Sequence, residues 1–282
     1  VDNNSTEART KAELRKFVEA HQGKLGFHLE TLDEPFNFAR LNNFAFEKYG
    51  EEHSLFMLLN NDVELTDPTT IETMANTALA DPKLGFVGIQ LHYPPTAGGG
   101  PQHTGITVGY STHGSGYYNA SGRVGDNEFP DSNRVAPGVT FACAMVRSKT
   151  FAELGLLDEL NFPNGFGDVA LCLRANRAGF LNFYLGQITA LHHESISRTV
   201  ASEDGEFYRM QRMFADEIQK ARIFRYGVNL NPGYQEKRPS AGAAATPSPP
   251  LPLRYKVADK VANVLKPIFD PLRAARRDMQ KS

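Results

Sequence analysis

SLFMLLNNDVELTD, residues Ser54–Asp67, sets an unbroken apolar run against an abrupt polar stop at Asn60-Asn61-Asp62. A short, wholly apolar segment bounded by turn residues is the pattern of a strand buried on both faces of an α/β sheet. Such a strand delivers Asp62 to its carboxyl end, where ligands bind in open α/β folds. A carboxylate beside two amides there suits a divalent cation held against a diphosphate, because hard cations take oxygen ligands. An Asx turn that simply ends the strand fits these residues equally well.

Outward from this stretch, strands and helices alternate. Thr10–Ala20 carries apolar residues at helical spacing, and Asn37–Lys48 and Thr69–Ala80 have the same texture. Leu84–Ile89 and Val139–Val146 have the composition of strands, as do Leu181–Leu185 and Thr189–Leu191. Asp168–Ala178 is expected to be a short helix, with Val169, Cys172 and Leu173 at i, i+3 and i+4 and Gly179 as its C-cap. The alternation predicts a layered, mostly parallel sheet. Between Tyr93 and Arg134 glycine, tyrosine and histidine accumulate, so long loops with short strands are expected there. The Gly98–Gly105 segment lacks the Lys-Ser/Thr ending of a phosphate loop and precedes no helix.

Composition narrows the classes. A net charge of −2 gives no argument for a nucleic-acid partner. The two cysteines, Cys143 and Cys172, sit in apolar patterns, which favours reduced core thiols over a disulfide. No apolar run approaches the roughly 18 residues of a membrane span, and no signal peptide is read, so a soluble, cytoplasmic protein is expected. Pro239–Pro252 is rich in Pro, Ala and Ser, the composition of a semi-rigid linker. Beyond it, residues 254–282 hold eight Lys/Arg against three Asp/Glu, with Val257, Val261, Val264, Leu265, Ile268 and Leu272 on a helical stripe. Such a basic amphipathic segment suits peripheral contact at the inner face of the plasma membrane, or docking on its own domain or a partner. Pro267 and Pro271 argue against one continuous helix.

Taken in order, VDNNST, FNFARLNN, LLNNDVEL, PQHTGITVG, VTFACAMVR, LGLLDE, FGDVALCLR and HHESISR resemble the family 2 inverting glycosyltransferases of GT-A fold, in the flavour of bacterial surface-polysaccharide enzymes. The resemblance runs from Val1 to about Arg198. It implies a GT-A type, Rossmann-like sheet flanked by helices, with a C-terminal helical tail. The organisation implied is a GT-A domain over 1–235, a linker over 236–253 and the basic segment 254–282. The activity implied is metal-dependent, inverting sugar transfer from a UDP-, dTDP- or GDP-linked donor to a glycan or lipid-linked glycan acceptor.

Site roles follow by the same resemblance. Asp2, Asn3 and Asn4 fall where the nucleotide is recognised, and Asn42 and Asn43 line the same pocket. Asn60, Asn61 and Asp62 match the DxD-like element, with Asp62 as the ligand of Mn²⁺ or Mg²⁺. One of His192 and His193 completes that metal shell; adjacent strand residues face opposite ways, so only one reaches it. Asp168 matches the catalytic base, and its place at a helix start also suits an N-cap. His103, Phe141 and Gly167 are expected at the acceptor cleft, although Phe141 fits a plain core strand almost as well.

Three departures from the pattern stand out. The strand that usually precedes VDN is absent, so the chain is expected to be an N-terminally truncated enzyme or a domain cut from a longer one. Ala170 stands where relatives carry a second acid, and Gly167 where many carry Glu or Asn. A catalytically impaired nucleotide- or glycan-binding relative is the alternative reading. A metal-dependent hydrolase built on Asp62, Asp168 and the histidines fits the motif order least.

Overall fold

The computed structural model describes residues 1–21, 26–111, 114–119, 130–193 and 200–218. The expected linker and the basic segment 254–282 lie outside them. The centre of the fold is β3 (Leu84–His92), in which every residue from Leu84 to Leu91 is buried. It pairs in parallel with β9 (Leu181–His192) and antiparallel with β8 (Cys143–Arg147), which in turn pairs antiparallel with β1 (Leu55–Leu59). β1, β3 and β9 therefore run one way. The inserted β8 reverses them, as do the short strands β2 (Val63–Leu65), β4 (Pro101–His103) and β7 (Arg134–Ala136). The outcome is a mixed sheet of order β1-β8-β3-β9-β2 flanked by helices. A separate antiparallel pair joins β5 (Ile106–Ser111) to β6 (Gly114–Asn119).

Strand alternation sorts the core into two layers. Ala144, Val146 and Tyr184 face one side, where they meet α2 (Phe38–Ala45), α4 (Ser148–Glu153) and α5 (Gly167–Arg177). Their neighbours Cys143, Met145, Phe183 and Leu185 face the other, under Met74 and Ala78 of α3 (Thr70–Ala80). α6 (Val200–Met213) covers the outer side of α5, placing Phe207 and Met210 on Val169, Ala170 and Leu173. Among the described α-helices, α1 (Ala8–His21) alone buries none of its side chains.

The expected helices are present, with local differences. α2 starts after Asn37, whose side chain accepts from the Arg40 N–H, but it loosens into a π-turn over Phe46–Gly50. There a Cβ on Gly50 would lie 2.3 Å from the Phe46 ring, so the backbone packs directly on that side chain. α5 ends as its residues predict: Gly179 sits at φ 92°, and the Phe180 N–H reaches back to the Ala175 carbonyl at 2.9 Å. The two strands read at 181–185 and 189–191 are one strand. Its register against β3 jumps from Ile89↔Leu185 to Gln90↔Thr189, so residues 186–188 bulge. Residues 139–142, expected to be strand, instead form the loop leading into β8.

Phe141 is 1% exposed and packs on Phe86 with ring centroids 4.5 Å apart. It belongs to the core rather than to a cleft, because its side chain points into the α5 layer instead of along the sheet edge. Phe141→Ala should lower unfolding free energy by about 3–5 kcal/mol in a denaturant titration. Burial pushes the Cys143 thiol up to about 12 and raises Cys172 further; both cysteines are free. Neither should react with a disulfide reagent at pH 8 in the native state, and both should react in guanidinium.

Candidate functional site

Asp62 closes the turn at the carboxyl end of β1. The Asn60 N–H is held by the Ala142 carbonyl at 2.9 Å and the Val63 N–H returns to the Asn60 carbonyl, which aims the chain into β2. β2 pairs antiparallel with the end of β9, setting Val63 opposite His192, and the His193 N–H donates to the Asp62 carbonyl at 2.9 Å. This short ladder brings His192 Nε2 to 3.2 Å from Asp62 Oδ1. His193 turns the other way, half-exposed, with Nε2 3.5 Å from Glu64. Of the two expected histidines, His192 is the one that meets Asp62; strand alternation carries His193 outward.

These two groups suit a divalent cation. Asp62 Oδ1 is buried and accepts no hydrogen bond among the described residues, an arrangement that costs free energy unless a further group is served. Neighbouring ligands about 2.1 Å from an octahedral cation lie about 3 Å apart, close to the observed spacing. Among the described residues no group of three or more His, Cys, Asp or Glu forms a closed cage. A cation held by these two groups would leave its other positions to water or substrate oxygens, as is usual where a cation meets phosphates.

Asp168 lies at the start of α5, with Oδ1 accepting from the Val169 N–H at 2.8 Å. α5 turns back into β9 through a short connection, so its N terminus points toward the carboxyl end of the sheet. The segment 138–142 links this helix to the Asp62 turn. A Cβ on Gly138 would lie 2.7 Å from Cys172 Cβ, so only glycine lets the loop touch α5 there. Four residues on from that glycine, the Ala142 carbonyl holds Asn60. Asp168 precedes Cys172 by one helical turn on the same face. Burial raises the Cys172 thiol, and the Asp168 charge adds to it.

Other expected site residues are placed differently. His103 is 1% exposed, its Nε2 accepting from the Thr140 N–H at 3.2 Å, so it braces the 138–142 segment inside the core. Asn43 is 3% exposed and bonds the Leu157 carbonyl, the Glu159 carboxylate and the Leu157 N–H. Its amide is engaged in this bracket between α2 and the 157–159 segment. Asn42 bonds the Phe38 carbonyl of its own helix. Asn3 ties the chain start to the Leu32 and Glu34 carbonyls, and Asp2 accepts from Ser5. Asn4 takes a left-handed φ of 51°, and Asn61 is exposed in the turn. Gly167 is buried at the first position of α5 and can offer only backbone. Ala170 is 3% exposed against α6, so an acid there would be buried in this chain. The last five residues of HHESISR, Glu194 to Arg198, lie outside the described residues.

Two residues escape a linear reading. Gln102 of β4 meets His192, and Glu206 of α6, 1% exposed, accepts the Asn164 and Gly165 N–H groups at 3.3 and 2.6 Å. Glu206 thereby holds the loop that enters α5, where Phe166 takes a left-handed φ of 56°. Nothing in the spacing of either residue signals this. Glu206→Ala should cost roughly 1–3 kcal/mol in urea unfolding, since two partly buried N–H groups lose their buried acceptor, and Glu206→Gln should cost less.

No protein-family model matches the chain. It is 35% identical over 204 residues to O-antigen biosynthesis protein RfbC of Myxococcus xanthus, covering 70% of this chain and 15% of that protein. It is also 32% identical over 202 residues to the uncharacterized protein y4gI of Sinorhizobium fredii, covering 70% of this chain and 21% of that protein. The chain thus spans about a fifth or less of the length of the curated relatives it matches. Among solved structures, GalNAc-T7 with UDP, GalNAc and Mn²⁺ superposes with a TM-score of 0.57 at 12% identity, covering 81% of this chain and 44% of that one. The chain therefore carries the GT-A glycosyltransferase fold and is homologous over about 70% of its length to O-antigen biosynthesis protein RfbC.

Proposed function

We propose that this chain is a metal-dependent, inverting glycosyltransferase that moves a sugar from a nucleoside-diphosphate donor to a hydroxyl of a surface-polysaccharide acceptor. The observation that carries the reading is the partly buried Asp62–His192 pair at the carboxyl end of β1, on a fold shared with a protein solved with UDP and Mn²⁺. The name of the Myxococcus relative supports a surface-glycan acceptor. Mn²⁺ or Mg²⁺ bound by Asp62 and His192 would offset negative charge on the departing diphosphate. In this reading Asp2, Asn3 and Asn4, with Asn60 and Asn61, would lie toward the nucleotide.

Asp168 acts as general base in this reading. It takes the proton of the acceptor hydroxyl as that oxygen attacks the anomeric carbon from the side opposite the diphosphate, which inverts the configuration. Its place in the first turn of α5 favours the ionised carboxylate through the helix dipole. The neighbouring 138–142 loop and the Gly167 backbone form the acceptor side. The segment 254–282 would bring the enzyme to an anionic membrane surface.

Calorimetric titration with UDP, dTDP and GDP should show binding that strengthens with Mn²⁺ for one of them, and hydrolysis of a panel of nucleotide sugars should name the donor. Asp62→Ala should abolish the Mn²⁺ dependence of nucleotide binding. Asp168→Asn should cut turnover roughly 10²–10⁴-fold while leaving nucleotide affinity within about twofold. Metal-independent binding, or loss of nucleotide affinity in Asp168→Asn, would remove the respective role. Nucleotide binding without turnover of any donor would favour a binding-only relative.

A further inference from the structure

The PQH segment, residues 101–103, lies beside the Asp62–His192 pair without belonging to it. Its β4 pairs with the end of β3, Leu91 opposite His103 and His92 opposite Pro101, which stations Gln102 beside the last residue of β9. His103 and Gln102 point to opposite faces, as strand neighbours must. His103 goes inward to Thr140, whereas Gln102 sets its Oε1 2.6 Å from His192 Nδ1. The other half of the amide, Nε2, is buried and makes no hydrogen bond among the described residues. A partly buried amide whose buried donor goes unserved gains little stability from its place, so positioning explains it better than folding does.

The geometry points to Gln102 as a positioning residue that sets the tautomer of His192. An amide oxygen can only accept, so the proton of the neutral ring must sit on Nδ1. The lone pair then falls on Nε2, the atom 3.2 Å from Asp62 Oδ1. With the opposite tautomer, Nε2–H would donate to the carboxylate, and the pair would close on itself instead of opening toward a cation. Metal-binding histidines are commonly held this way by an acceptor on the second ring nitrogen, and loss of that acceptor typically costs about 10–100-fold in metal affinity. Gln102 thus selects between a ligating pair and a self-paired one without touching substrate.

This inference rests on the reading of Asp62 and His192 as cation ligands, and the experiment keeps the two apart. Mn²⁺ is titrated into the protein in the presence of UDP, with free Mn²⁺ followed by its electron paramagnetic resonance signal. Gln102→Met removes the acceptor at similar volume and should weaken Mn²⁺ binding about 10–100-fold. Gln102→Glu restores an oxygen at Nδ1 and should return the affinity to within about threefold. Wild-type affinity in Gln102→Met, alongside loss in Asp62→Ala, overturns the role of Gln102 and leaves the metal site standing. Unchanged affinity in Asp62→Ala overturns the metal site and this inference together. Equal losses in both Gln102 variants, with unchanged melting temperatures, would show that shape matters rather than the acceptor, which also overturns it. A measurement on the unmodified protein guards against a variant that fails to fold. Long-range ¹H–¹⁵N spectra at pH 8 should show His192 protonated on Nδ1, and an Nε2–H signature rejects the proposal.

Discussion

The three-residue ladder between β2 and the end of β9 is the contact on which the site depends. It joins segments far apart in the chain, and its register alone decides which side chains meet. With Val63 opposite His192, the imidazole lies against Asp62 and His193 faces solvent. A slip of one residue would exchange the two histidines, because strand side chains alternate. Two features resist that slip: the His193 N–H bond to the Asp62 carbonyl and the Thr66 hydroxyl bond to the Thr189 carbonyl at 3.2 Å.

The bulge at residues 186–188 supports the same arrangement from the other side. β9 follows β3 in parallel as far as Leu185, then takes up three extra residues before pairing again at Thr189. A bulge re-aims the strand beyond it, and such features gather beside functional sites. Here it alters which residues of the last part of β9 face each layer. The space for it is tight: a Cβ on Gly186 would lie 2.4 Å from the Pro130 carbonyl, so glycine is required where the strand passes that loop. Asn133 then accepts the Gln187 N–H, which ties the bulge to the chain before β7.

The second acidic element is positioned by different means. α5 is fixed at its C terminus by the glycine cap, on its inner face by Cys172 against the 138–139 loop, and at its entry by the buried Glu206 carboxylate. Asn182, fully buried, stitches these pieces to the sheet: it accepts the Phe86 N–H and donates to the Pro137 and Cys172 carbonyls. A helix held at three points has little freedom to tilt, so the direction of its first turn is set by packing rather than by a ligand. Preorganisation of this kind is what a group acting on a developing charge requires.

Residues alone determined much of this protein. The apolar run ending at Asn60-Asn61-Asp62, the helical spacing of Val169, Cys172 and Leu173, and the glycine at 179 are local signals, and local physics suffices to read them. The glycosyltransferase resemblance was carried by the order of its motifs, and the fold agrees with it. What the chain alone did not disclose was pairing. His192 or His193, Gln102 behind the imidazole, Glu206 under the α5 entry, and the diversion of His103, Phe141 and Asn43 into the core all depend on long-range register and burial. Identical residue types meet a carboxylate, brace a loop or fill the core according to which face of a strand or helix they occupy. That face is decided by hydrogen bonds between distant segments, which only the folded sheet brings together.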